Sequence, residues 1–318
     1  MSFEEIAKTF VRKDLPDSEV ELVGEVPAEA LAPYRNAALA HLAQEMEMPG
    51  FRKGHIPLEM VLKKVGEVGV LEEAVELCIQ DLYGALSLAH NVDAVGRPDI
   101  RITNLPAGRQ DLQPGNPVGI TVRTAVYPEV VVPKDWKGLA EKFPLEAYTG
   151  DLPAGRQGSQ TDPPPSAEDE AKARDYMARD KRRGKIIDAL LEKTKVEVPN
   201  IFVESELEKI MVQMKEDITK FGLKFEDYLK QMQKTEAQVR EEFRAQARKR
   251  AVLQLALNKL AEEEKIVADP AAVEVEIKHA LEHLPAGRQV SPLSNEQLRI
   301  YIETVLRNEQ VLKLLEGN

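Results

Sequence analysis

The N-terminal third of the chain alternates between strand-like and helix-like hydrophobic patterns. Residues 20–26 (VELVGEV) alternate apolar and polar positions, as a half-buried strand does. Helical periods follow in three segments, at residues 27–46, 56–66 and 70–92. Two later segments alternate again and can pair as strands, at residues 99–105 and 119–128. The order strand, helices, strands predicts an α+β domain that ends near Pro128.

Beyond residue 167 nearly every segment follows the helical period. These helical patterns occupy residues 168–194, 201–222, 224–233, 235–264, 271–283 and 295–317. Thr235 is followed three residues later by Gln238, a capping-box pair that marks a helix start. Aromatic residues make up only 5% of the chain and charged residues 31%, which indicates much exposed helical surface. These patterns therefore predict that the second half of the chain forms an all-α, extended multi-helix domain.

A stretch rich in Pro, Gly, Ser and Asp separates the two halves. It ends in the run Pro163–Pro165, which favours a stiff, extended backbone. We interpret the stretch as a linker in which Trp136 and Phe143 pack only locally. The predicted organisation is a domain over residues 1–130, the linker over 131–165 and a helical domain over 166–318.

The hexapeptide LPAGRQ occurs three times, at residues 105–110, 152–157 and 284–289. The intervals between the copies are unequal, so they do not form a solenoid repeat. Each copy lies where a turn or linker is predicted, and such places tolerate insertions best. We interpret the copies as inserted loop sequence without chemistry, with a binding epitope as the second interpretation.

The charge and the cysteine content exclude several classes of protein. A formal net charge of -11 argues against a general nucleic-acid coat, although it is compatible with a local basic contact. Cys78 is the only cysteine, so neither an intrachain disulfide nor a Cys-based zinc site can form, and we expect an inert buried thiol. No apolar run has the length of a signal peptide or a membrane span. The sequence therefore predicts a cytoplasmic protein without a membrane or DNA partner.

Sequence motifs for catalysis are absent. The chain contains no Walker loop, no GxGxxG that opens a helix, no GxSxG and no HExxH motif. His279 and His283 are four residues apart on a predicted helix and could share a metal, but no third ligand lies near them in sequence. We therefore expect two solvated histidines, no catalytic residues, no metal and no cofactor.

The segment PGFRKGHIP, residues 49–57, is the most unusual loop in the sequence. Prolines and glycines exclude a regular helix or central strand there, so an aromatic ring and two cations must lie at a turn. The alternative is a phenylalanine that folds back onto the body beside two solvated cations. The residues at the centre of the loop are Gly50, Phe51, Arg52, Lys53 and Gly54.

Methionine and aromatic residues cluster in one part of the helical half. Thioether side chains repack at small cost around apolar partners of different shape, which suits promiscuous binding. The alternative is that these residues fill the seams between helices, and we expect this for about half of them. The candidates for binding apolar partners are Met211, Met214, Phe221 and Phe225.

In its context between a strand–helix unit and two further helices, PGFRKGHIP resembles the ribosome-docking loop of the trigger factor family of bacterial nascent-chain chaperones. Three other stretches are similar to the family in the same order: LPDSEVELVGEVPAEAL, AVYPEVVVP and KIIDALLEKTKVEVPNIFVESELEKI. The resemblance implies a ribosome-binding domain that docks through residues 50–54 on protein and rRNA at the tunnel exit. It also implies that the helical half binds unfolded nascent polypeptides without ATP, and it is compatible with a homodimer away from the ribosome.

The chain departs from this family in its middle. The family usually carries an FKBP-like prolyl isomerase domain there, of about a hundred residues, whereas this chain has only residues 131–165. A Pro-rich segment of that length cannot build an aromatic-lined pocket, so we expect no isomerase activity. Two alternatives stay open: a prolyl isomerase kept by descent, and a helical scaffold whose loop binds a partner other than the ribosome.

Overall fold

The computed structural model describes residues 1–52, 54–104, 117–151, 166–282 and 295–317. They form two compact units, each with its own core. Unit 1 comprises Met1–Pro128 and Glu197–Phe202, and unit 2 comprises Glu129–Val196 and Val203–Asn318.

Unit 1 is an α+β domain, as the sequence predicts. Its four strands form an antiparallel sheet of order β1-β2-β4-β3: β1 Val11–Leu15, β2 Glu19–Val26, β3 Ala94–Asn104 and β4 Val118–Val126. Four helices accompany the sheet: α1 Phe3–Ala7, α2 Ala28–Leu31, α3 Tyr34–Glu45 and α4 Leu58–Ala89. The helix predicted over residues 27–46 is divided into α2 and α3, since Pro33 cannot donate a helical hydrogen bond.

The main core of unit 1 lies between one face of the sheet and the C-terminal part of α4. Leu22 and Ile120 from the strands and Leu82 from α4 are completely buried. Thr124 is also buried, and its hydroxyl oxygen accepts a hydrogen bond of 2.9 Å from the Tyr83 hydroxyl. The alternation predicted for β2 is confirmed, because inward positions are apolar and face this core.

A second, smaller core holds α3 against α4, and we call it the hairpin core. It consists of short or branched apolar side chains from both helices and from the loop between them: Ala38, Leu39, Ala43, Ile56, Val61, Val70 and Ala74. This core is separate from the sheet core, so it is the hairpin core that supports the connection between α3 and α4.

Unit 2 is helical, which confirms the all-α prediction for the second half. Its helices are α5 Ala167–Lys193, α6 Asn200–Lys220, α7 Phe225–Met232, α8 Glu236–Glu263, α9 Pro270–Glu282 and α10 Asn295–Leu315. The capping box predicted for α8 is present: the Gln238 N–H donates to the Thr235 hydroxyl at 3.2 Å, and the Thr235 N–H donates to the Gln238 side chain at 2.8 Å.

The structure differs from the linker predicted across residues 131–165. Two single-turn 3₁₀ helices, Trp136–Gly138 and Ala140–Lys142, bury Trp136 and Leu139 in the core of unit 2 against α5, α8 and α10. The Arg182 guanidinium donates to the carbonyl oxygens of Phe143 at 2.7 Å and Ala140 at 3.2 Å, which fixes this segment on α5. The first part of the predicted linker is therefore core, and residues 152–165 lie outside the described residues.

Candidate functional site

The segment Met46–Pro57 joins α3 to α4, and we call it the tip loop. Its two ends are anchored: Ile56 is buried in the hairpin core, and Met46 and Met48 pack against the same core. The Lys64 ammonium donates to the Glu47 carbonyl oxygen at 3.1 Å. Both ends of the tip loop are therefore held in place by the hairpin core.

Two glycines shape the middle of the tip loop. Gly50 has a φ of 87° and Gly54 a φ of 82°, in the left-handed region that side chains disfavour. A Cβ at either position would meet nothing within 4 Å, so the need for glycine is conformational rather than steric. Backbone hydrogen bonds close two turns beside them, from the Phe51 N–H to Met48 and from the His55 N–H to Arg52.

Two side chains between these glycines, Phe51 and Arg52, are exposed to solvent. Phe51 is 38% exposed and belongs to neither of the buried cores of unit 1. Arg52 is exposed and forms no ion pair with any residue that the structure describes. Lys53, the third predicted docking residue, lies outside the described residues. The loop thus presents an apolar ring beside a cation to which the described residues offer no ion pair.

Polar contacts along the hairpin hold α3 on α4 behind the loop. Arg35 donates to both carboxylate oxygens of Glu67, at 2.9 and 3.0 Å. The Tyr34 hydroxyl donates to Asp81 at 2.6 Å, and burial together with this contact raises the pKa of Tyr34 above its ordinary value. Exposed contacts of this kind contribute little stability each, so the hairpin depends mainly on its apolar core.

The predicted client-binding residues do not share one environment. Met211 is completely buried on α6, so its prediction as a client-binding residue is corrected: it presents no surface to a client. Met214 and Phe225 are half-buried, whereas Phe221 is 85% exposed. Only part of the predicted set therefore belongs to a surface.

Helix α7 carries an apolar stripe that none of its neighbours fully covers. Its apolar side chains recur at helical spacing, none of them is fully buried, and they are Phe225, Tyr228, Leu229 and Met232. The Phe225 and Tyr228 rings stack with centroids 6.4 Å apart, and the Lys215 ammonium lies 4.9 Å from the Phe225 centroid. Tyr228 is not among the client-binding residues predicted from the sequence, although its spacing from Phe225 could have identified it.

The remaining candidate chemistry does not form a site in the described part of the chain. Cys78 is buried, and desolvation followed by the nearby Asp81 raises the pKa of its thiol to about 11, in agreement with an inert thiol. Within the described ranges, no cluster of three or more His, Cys, Asp or Glu side chains suits a metal ion. Among the helices described, none is long and apolar enough to cross a bilayer. His283 and all three LPAGRQ copies lie outside the described residues.

Two family models match the chain in succession. The model for bacterial trigger factor protein matches residues 8–151, and the model for the trigger factor C-terminus matches residues 167–316. The chain belongs to the trigger factor family. The resemblance identified in the sequence is therefore confirmed. Only residues 152–166 lie between the two matches, an interval too short for a domain of about a hundred residues such as the family's isomerase.

Individual relatives agree with this assignment. The trigger factors of Corynebacterium jeikeium and Frankia casuarinae are 33% and 31% identical to this chain over 141 and 123 residues. Those alignments cover 44% and 39% of this chain but 25% and 24% of the relatives, so the chain matches about a quarter of their length.

A solved structure has the same fold. It is described for promiscuous substrate recognition in the folding and assembly activities of the trigger factor chaperone. It aligns with a TM-score of 0.52 and 16% identity, over 97% of this chain and 99% of that chain. At this identity the likeness extends to the fold and not to the residues of a site.

Proposed function

We propose that this chain is an ATP-independent chaperone that docks at the ribosomal tunnel exit and shelters apolar segments of nascent polypeptides. The observation that carries the proposal is the tip loop. Phe51 and Arg52 are exposed between two glycines of positive φ, at the end of a hairpin with its own core.

The chemistry of the tip loop suits a surface made of protein and RNA. Arg52, with Lys53 beside it in sequence, would meet phosphate groups or acidic side chains, while Phe51 would provide apolar contact area. The glycine turns hold the loop in shape before binding, which reduces the entropy lost on docking. Since the chain as a whole has a net charge of -11, binding to RNA elsewhere on its surface is disfavoured.

The surface proposed for nascent chains is the apolar stripe of α7 together with Phe221. Four partly exposed apolar side chains on one short helix offer apolar contact area, which suits clients of varied sequence. Binding of this kind is modest in affinity, so release needs no nucleotide. We expect the chain to act in the cytoplasm, and a homodimer away from the ribosome stays a prediction.

The decisive experiment is co-sedimentation with bacterial ribosomes. The variant combines Phe51→Ala, Arg52→Ala and Lys53→Ala, and the matched control combines Leu88→Ala, Lys13→Ala and Arg97→Ala. Each variant removes one apolar side chain and two cations from unit 1, and the control positions are exposed. We expect the tip-loop variant to lose ribosome binding and the control to keep it, with both retaining the helix content of the parent.

The salt dependence of the parent protein provides the second readout. Binding should weaken as salt rises, because cations that meet phosphate release counterions. Ribosome binding that does not change with salt concentration contradicts the docking proposal. A tip-loop variant that still sediments with ribosomes contradicts it as well. A chain that suppresses client aggregation without binding ribosomes supports the scaffold alternative instead.

We also propose that the chain is not an enzyme. The purified protein should leave the cis-to-trans relaxation of an X-Pro test peptide at its uncatalysed rate, on the order of tens to hundreds of seconds. A rate that increases in proportion to protein concentration would show that the chain retains an isomerase site.

A further inference from the structure

Helix α4 contains one backbone break, at Gly66. Along α4, every residue of which the structure describes, only Gly66 departs from helical geometry, with φ 80° and ψ 167°. This combination belongs to a region of backbone space that is essentially restricted to glycine. A Cβ at Gly66 would meet nothing within 4 Å, so the requirement for glycine at this position is conformational and not steric.

The break divides α4 into two segments with different attachments. The segment after Gly66 supplies Val70 and Ala74 to the hairpin core and Leu82 to the sheet core. The segment before it, residues 58–65, supplies Val61 to the hairpin core and contributes no residue to the buried sheet core. The hairpin core holds this first segment, and the change of direction between the two segments of α4 occurs at Gly66.

We propose that Gly66 is a positioning residue for docking: its positive φ sets the angle at which the tip loop projects from unit 1. This inference rests on the proposed function, since it names what orients the same loop. Gly66 lies fourteen positions after Arg52 in sequence and acts on the partner only through the direction of residues 58–65.

An L-residue at position 66 should remove the break. Alanine avoids positive φ and favours helical geometry, so Gly66→Ala is relieved by continuing the helix through this position. A continuous helix would redirect residues 58–65 and move Ile56 and the tip loop with them. D-alanine has the mirror-image preference and accepts a positive φ, so it should keep the break with the same added methyl group.

The chain allows this comparison in full length. Cys78 is the only cysteine, so a synthetic segment 1–77 can be joined to a recombinant segment 78–318 by native chemical ligation without altering the sequence. Three ligated chains are compared with the ligated parent: Gly66→Ala with L-alanine, the same position with D-alanine, and the control Gly84→Ala. Gly84 lies in α4 with helical geometry, and a Cβ there meets nothing within 4 Å.

The measurement is the dissociation constant for bacterial ribosomes, beside the helix content from circular dichroism. We expect L-alanine at position 66 to raise the dissociation constant about tenfold or more while helix content stays equal or rises. D-alanine at position 66 and Gly84→Ala should both bind as the parent does. Because the L- and D-alanine chains have the same composition, a difference in binding between them at equal helix content reports the backbone conformation at position 66 and not the added methyl group.

The outcomes separate this inference from the proposed function. If the parent binds ribosomes and L-alanine at position 66 binds equally well, the positioning role is overturned and the docking proposal stands. If the L-alanine chain fails to fold, the D-alanine chain still decides, since loss of its binding overturns the positioning role. A parent chain that does not bind ribosomes overturns the proposed function and this inference with it.

Discussion

Gly24 in β2 is required for packing because it has no side chain. The Phe10 ring lies against this glycine in the sheet core, and a Cβ at Gly24 would come within 2.5 Å of ring carbons. No positive φ is involved, so the constraint is purely one of space. The ring is buried, and it cannot move away without disturbing the neighbours that pack on it.

We expect Gly24→Ala to destabilise unit 1 by about 1–3 kcal/mol, the usual cost of overpacking a core. The matched control is Gly84→Ala, which adds the same methyl group to a helix with free space and should be neutral or stabilising by about 0.5–1 kcal/mol. Calorimetric melting of the full chain checks both. Equal melting curves for the two variants would show that the Phe10 ring shifts at no cost.

Asp135 is an exposed carboxyl group whose pKa is lowered by two neighbouring lysines. Hydrogen bonds from Lys193 at 2.8 Å and Lys142 at 3.2 Å lower its pKa from 3.8 to about 2. Because the folded pKa is depressed, the stabilisation is present above pH 3.8 and is lost as the pH falls through 2. The group is exposed to solvent, so salt should weaken the effect.

Removal of a partner should therefore raise the pKa of Asp135. In carboxyl NMR titrations, Lys193→Ala should move the Asp135 midpoint upward, toward the ordinary value. Lys185→Ala is the control, since Lys185 pairs with Glu146 and not with Asp135. A midpoint that stays near 2 without Lys193 would assign the shift to other groups.

In unit 2, apolar residues that belong to the same helical pattern differ in burial: some are packed in the core and others lie on the surface. Met211 in α6 and Phe221 just after it are both apolar and close in sequence, yet one is completely buried and the other is 85% exposed. Helical periodicity marks both as candidates for an apolar face. Which face becomes covered depends on the neighbouring helices, and the sequence pattern of one helix does not specify that.

The two residues should therefore respond differently to the same substitution. Phe221→Glu should weaken protection of an aggregating client protein while the melting temperature stays unchanged. Met211→Glu should lower the melting temperature sharply, because it places a charge in a core. Leu88→Glu in unit 1 is the control for an added surface charge, since Leu88 is also 85% exposed. Equal client protection by the Phe221 and Leu88 variants would contradict a client surface at Phe221.

Long periodic elements were predictable from the sequence, and short elements were not. The helices α5 to α10 carry repeated apolar positions and caps such as Thr235, so pattern alone locates them. Strand β1 was missed because it is an edge strand whose residues are mostly exposed, so it shows no alternation. Helix α1 was missed because five residues cannot establish a period, although Ser2 and Glu5 form a capping box.

The candidate site was predictable to the extent that local backbone chemistry determines it. Proline and glycine at the tip loop exclude regular structure whatever the surroundings, so the exposure of Phe51 could be expected. The separate helical patterns at residues 56–66 and 70–92 already indicate an interruption after Gly66, although not that it is confined to this one residue. The burial of Met211 could not be derived in this way, because it depends on how neighbouring helices pack.

At the scale of the whole molecule, the boundary of the helical unit lies earlier than composition suggests. Segment 129–143 is rich in loop-forming residues, yet it places Trp136 and Leu139 among the buried side chains of α5, α8 and α10. Composition describes the local chain, whereas these contacts are long-range. A fragment that starts at α5 would leave the matching surface of those helices uncovered.

We therefore expect residues 129–318 to form a more stable fragment than residues 167–318. The shorter fragment loses Trp136, Leu139 and Ala140 from its core and should melt at a lower temperature. The longer fragment with Trp136→Ala is the matched control, and it should melt between the two. Equal melting temperatures for both fragments would mean that segment 129–143 adds no stability to unit 2.

The position of Trp136 also gives unit 2 a spectroscopic signature of its own. It is the only tryptophan of the chain and is buried in the core of unit 2, so selectively excited indole fluorescence reports on that unit alone. Ellipticity, in contrast, reports on both units. Coincident denaturation curves from the two probes would show one cooperative transition, and separate curves would show two independent folding units. Substitutions in the tip loop should leave the emission spectrum of the native protein unchanged.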